Sequence, residues 1–80
     1  MKIERLKKWE VHDAVLYITM HGDGTGLHRV YEGYYVNVYY FQGNYIEVWT
    51  SVNGNRVSFN EVSEATLYDN YLHLLSMPIW

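Results

Sequence analysis

Between positions 21 and 28 the chain reads His-Gly-Asp-Gly-Thr-Gly-Leu-His. His21, Asp23 and His28 are residue types that hold a divalent metal while leaving a position open for water. Metal binding or metal-assisted hydrolysis is the chemistry this set would perform. Its spacing fits no established ligand motif, and His12 and Asp13 join it only if the chain folds back on itself. Thr25, between two imidazoles, can be drawn as a nucleophile with a base beside it. Nothing in the spacing demands that arrangement, no serine sits in a nucleophile elbow, and the chain has no cysteine. Gly22, Gly24 and Gly26 could shape an anion nest, but a dinucleotide fingerprint needs G-x-G-x-x-G opening a helix and a P-loop ends in Gly-Lys-Ser/Thr. Neither is present. The segment reads as a flexible strand connection, with no catalytic residue, metal or cofactor assigned.

Aromatic residues supply the second kind of chemistry. The chain holds nine tyrosines and three tryptophans, many of them between Arg29 and Phe59, where Val, Ile, Tyr, Phe and Trp alternate with short Gly/Asn breaks. Such stretches suit half-buried pleated strands, and the breaks suit turns with positive φ. Bases could stack on such a sheet, as on an RNA-recognition module. The stretch Glu32-Gly33-Tyr34-Tyr35-Val36-Asn37-Val38 departs from that signature, because Glu32 stands where a cation should meet phosphate. Tyr and Trp also suit protein contact, since they give amphipathic area at low entropy cost.

These residues need elements to position them. Ile3, Leu6 and Trp9 predict a short helix over residues 2 to 9. The apolar run Ala14–Met20 predicts a first strand, and residues 29–41 a long second strand bent at Gly33. Tyr45–Val52 and Arg56–Phe59 supply the third and fourth. Along the second strand, Val36, Val38 and Tyr40 share one face and Tyr35, Asn37, Tyr39 and Phe41 the other; along the third, Ile46 and Val48 oppose Tyr45, Glu47 and Trp49. The Val-bearing faces are expected to bury, leaving Tyr35, Tyr39, Phe41, Tyr45 and Trp49 for contact. Ser63 predicts an N-cap, Glu64 suits the first turn, and Leu67, Tyr68, Tyr71, Leu72, Leu74 and Leu75 form a stripe for a helix over about 64–76, stopped by Pro78. The fold expected is α+β: an antiparallel β-meander of about four strands, a C-terminal helix packed on one face, and a short N-terminal helix. Residues 1–80 make a single two-layer domain.

Composition narrows the function classes. At 49% hydrophobic and 18% aromatic the chain is too apolar for a disordered tail. The absence of cysteine favours a reducing, cytoplasmic setting, and no signal peptide or membrane-spanning run is apparent. Residues 1–10 carry Lys2, Arg5, Lys7 and Lys8 against two carboxylates, whereas the other seventy carry two arginines against seven. An acidic body repels a phosphate backbone, so nucleic acid is disfavoured as a partner. The reading favoured is a small non-enzymatic protein-binding module, an adaptor or inhibitor acting through its Tyr/Trp-rich sheet face and able to form a homodimer. Compact acidic domains of this kind are common among phage and mobile-element proteins that block host defence proteins, and that setting is part of the expectation. The alternatives are a nucleic-acid-binding domain using the basic N-terminal segment and sheet aromatics, and a metal-binding protein or hydrolase using His21, Asp23 and His28.

Overall fold

A computed structural model describes residues 2–75, with side chains to Tyr71. Two helices come first, α1 (Ile3–Leu6) and α2 (Val11–His21), followed by strands β1 (Asp23–Tyr31), β2 (Tyr34–Phe41), β3 (Asn44–Ser51) and β4 (Val57–Val62), and then α3 (Glu64–Leu75). The strands form one antiparallel sheet in the order β1-β2-β3-β4. The expected α+β meander with a C-terminal helix and a short N-terminal helix is therefore present. No helix among the described residues is long and apolar enough to cross a membrane.

The hairpins follow from turn chemistry. Glu32-Gly33 and Gln42-Gly43 each place two successive residues at positive φ (46° and 85°, then 53° and 81°), the combination that type I′ turns require to match strand twist. At Glu32-Gly33 this corrects the single bent strand expected over 29–41: Gly33 turns the chain, and β1 and β2 pair across it. At 51–56, Ser51 and Asn53 side chains bond to each other and to the backbone N–H groups of Arg56 and Asn55.

Three further expectations are corrected. Ala14–Met20 is helix, not strand. Glu10 caps α2 by accepting hydrogen bonds from the N–H groups of His12 and Asp13, and Ala14 and Ile18, four residues apart, are fully buried on one face of the helix. Burial of that stripe outweighs the β propensity of Val15, Tyr17, Ile18 and Thr19. Gly22 then ends the helix where a Cβ would lie 2.7 Å from the Ile18 carbonyl oxygen and 3.2 Å from that of Tyr40. Beyond it, the glycine-rich segment is part of β1 and not a loose connection. Between the Gly24–Tyr39 and His28–Asn37 pairs β1 holds two more residues than β2, a bulge in which Thr25 Oγ1 donates to the Val38 carbonyl and accepts from the Leu27 N–H.

The third correction concerns layers. Cross-strand partners share a face, and β2 pairs with β3 as Val36–Trp49, Val38–Glu47 and Tyr39–Ile46. The Val36/Val38 face and the Ile46/Val48 face are therefore opposite, and each carries a helix. Ile3 and Leu6 of α1 and Ala14 and Ile18 of α2 cover Phe41, Ile46 and Val48. Leu67 and Tyr71 of α3 cover Val38, with Leu27, Tyr45 and Val62 at the margin. Helices, sheet and helix make three layers. The cap expected at Ser63 is present, its Oγ accepting from the Thr66 N–H. Pro78 lies outside the described residues, as do the side chains of Leu72, Leu74 and Leu75.

Candidate functional site

The helices leave part of each sheet face open. On the α2 face, burial is concentrated toward the β2–β3 turn, around Phe41, Ile46 and Val48. Farther along the strands, Val30 pairs with Tyr35 and Tyr35 with Thr50, and these positions lie beyond the helical cover. Val30 is 65% exposed and Tyr35 50%, with His28 and Asn37 exposed alongside. Val52, at the β3–β4 connection of the same end, is exposed as well and donates its N–H to the Gly33 carbonyl. Apolar side chains directly paired across two strands in water form a continuous surface, unlike scattered exposed residues.

On the α3 face the centre is polar. Glu47 is only 2% exposed, and one of its carboxylate oxygens, Oε2, accepts from Tyr71 Oη at 3.0 Å, Arg29 Nη2 at 3.4 Å and Asn70 Nδ2 at 3.4 Å. Strand register creates the arrangement: Arg29 and Trp49 flank Val36 on one face, Glu47 is two residues from Trp49, and α3 lowers Tyr71 onto them. The guanidinium carbon of Arg29 lies 5.1 Å from the Tyr31 ring centroid, 5.2 Å from Trp49 and 5.6 Å from Tyr71, within cation–π range of all three. Tyr31 and Tyr34 meet Trp49 edge to face. Burial pushes the Tyr71 phenol up to about 12, with the Arg29 guanidinium working against the rise and the bond to Glu47 adding to it. The result is a protonated phenol, a carboxylate and a guanidinium whose charges balance inside an aromatic wall.

Of the five residues expected to make contact, only Tyr35 is on the open surface. Phe41 is core beneath α1 and α2, and Tyr39 is half-buried against that core. Tyr45 and Trp49 occupy the opposite face, under or beside α3. They do not form one patch, because register puts Tyr35, Tyr39 and Phe41 on the other side of the sheet. Val30 joins this surface only through its pairing with Tyr35, which depends on the turn at Glu32-Gly33 and so leaves no signal in a strand expected to run unbroken over 29–41.

The alternative sites are also dispersed. Among the described residues no three of His, Asp and Glu converge as metal ligands. His21 ends α2 with its ring stacked on Tyr17, and His28 Nδ1 is 3.1 Å from the Gly26 carbonyl oxygen. Lys2, Arg5 and Lys8 surround a cleft with Glu4, while Lys7 pairs with Glu61 at 3.4 Å. Lys2 and Ile3 also line a hollow with Gln42 and Asn44, which puts α1 at the β2–β3 turn. Tyr35 is six residues from Phe41 along β2, a span of about 20 Å. The basic segment and the open Val30–Tyr35 surface therefore lie at opposite ends of the sheet.

Compared with family models, with curated proteins and with solved structures, the chain matches none.

Proposed function

We propose that this protein is a small non-enzymatic protein-binding module, an adaptor or inhibitor, that docks through the open end of its sheet. The observation carrying this reading is the paired, solvent-facing Val30 and Tyr35 on a face whose other half is buried under two helices. A polar residue at either position would keep the strand pairing, so folding alone does not require an apolar pair there. Tyr35 offers a broad amphipathic ring, and Val30 a β-branched side chain with little rotamer freedom to lose on contact. The partner is a protein that presents an apolar surface. Action on a host defence protein by a mobile-element product belongs to the same proposal and is supported only by size, acidity and the lack of catalytic motifs.

The deciding experiment is affinity capture with the wild-type chain and the Val30→Ser/Tyr35→Ser double variant, after nuclease treatment. A stoichiometric protein retained by wild type and lost by the variant, at equal melting temperature, supports the reading. Equal retention by both moves the interface elsewhere.

A further inference from the structure

Among the described residues, the two buried side-chain donors without a hydrogen-bond partner are Arg29 Nε and Trp49 Nε1. Buried polar atoms are nearly always paired, so each unpaired one calls for an acceptor. Both belong to one cluster, with the guanidinium carbon 5.2 Å from the Trp49 ring centroid. Neither atom can accept from the other, since both are donors only.

We propose that Arg29 Nε and Trp49 Nε1 form a binding site for a neutral carbonyl oxygen of the peptide type. Charge selects this class of ligand. The guanidinium is already balanced by the Glu47 carboxylate through Nη2, so a second carboxylate would leave an uncompensated negative charge in a buried setting, whereas an amide carbonyl adds none. Aromatic rings surround the two donors: Trp49 and Tyr34 are half-buried, and Tyr31, 47% exposed, forms the outer side from the tip of the β1–β2 hairpin. An exposed tyrosine changes rotamer rapidly, which gives an acceptor a way in. The site lies on the sheet face opposite Val30 and Tyr35, so it goes beyond the protein-binding reading and rests on it only for the source of the carbonyl, a partner's backbone.

The test uses the full chain without any partner, so its failure leaves the Val30–Tyr35 surface untouched, and a failed capture experiment leaves this site standing. The indole N–H resonance of Trp49, assigned by its disappearance in Trp49→Phe, is followed while N-methylacetamide or sodium acetate is added. The expected result is a saturable downfield shift with the amide and none with acetate. Arg29→Lys, which keeps the charge but removes Nε, should raise the half-saturating amide concentration several-fold. If that variant does not fold, Tyr31→Ala should weaken amide binding by loss of the wall. An indole proton unmoved by either probe, as a tightly held water would leave it, overturns the proposal. Saturation by acetate at or below the amide concentration overturns it too, making the site one for anions.

Discussion

On the α2 face, Ile46 and Val48 meet Ala14 and Ile18 as an aliphatic core, while the residue between them on the same strand, Glu47, carries a buried carboxylate into the α3 face. The two faces hold their helices by different physics. Aliphatic contact is non-directional and roughly proportional to area, so it tolerates changes of shape at constant volume. The α3 face depends on three donors converging on one oxygen, and there a missing partner costs more than a poor fit. One strand thus serves a tolerant interface and an exacting one.

The largest test of that contrast is Glu47→Ala. It leaves Arg29 buried without its counter-charge and strips acceptors from Tyr71 and Asn70, at a cost of about 3–5 kcal/mol. A domain of this size has a total stability of roughly 4–12 kcal/mol, so urea titration should find the midpoint of the variant lowered by at least a quarter, with complete unfolding if the wild type lies at the low end of that range. Pairing Glu47→Leu with Arg29→Met removes both charges together and should restore much of the loss. If the double variant is as unstable as the single one, shape and not charge governs the α3 face.

Tyr71→Phe should come next, at about 1.5–3 kcal/mol, since it removes the shortest bond to a charged acceptor. It also carries a pH signature. The phenol sits at about 12 in the fold against about 10 in the unfolded chain, so the unfolded form loses its proton first and stability falls as pH rises between those values. The slope assignable to this one group is about 1.4 kcal/mol per pH unit. Denaturant midpoints measured from pH 9 upward should fall more steeply in wild type than in Tyr71→Phe. Parallel profiles would place the buried phenol outside the linkage.

On the tolerant face, Ile46→Val should cost only about 0.5–1.5 kcal/mol, measured in the same titration, although its side chain is as fully buried as Tyr71. A cost equal to that of Tyr71→Phe would erase the contrast. Smallest of all, the Val30→Ser/Tyr35→Ser variant should change stability by less than about 0.5 kcal/mol per site, as exposed positions do. A larger loss would show that the open end of the sheet supports the fold.

The elements legible in the sequence were those with local punctuation. Gln42-Gly43, Asn53-Gly54 and the Ser63 cap each fix backbone geometry within a few residues, and β3, β4 and α3 follow from them. Helix α2 was illegible because it is apolar and β-branched over much of its length, so the run Ala14–Met20 has the composition of a strand. Its cap is Glu10, an unusual capping residue. Face assignment failed for a related reason: alternation separates Val36 and Val38 from Tyr35 and Tyr39, but does not say which set on β3 lies beside them. Only register decides that, and register depends on the Glu32-Gly33 and Gln42-Gly43 turns together. The Glu47–Tyr71 bond spans 24 positions and left no local signal.

The bulge in β1 has a consequence for growth. Its pairing breaks between Gly24 and His28, leaving a continuous edge of only four residues, 28–31, whereas β4 pairs without interruption through six. In the language of polymer chemistry, a sheet that paired edge to edge from such a start would act as a monofunctional monomer, with β4 as its regular end and β1 as its interrupted one. Two copies joined along β4 would expose β1 at both outer edges, and addition would stop at two, where a chain with two regular edges could continue into a fibre.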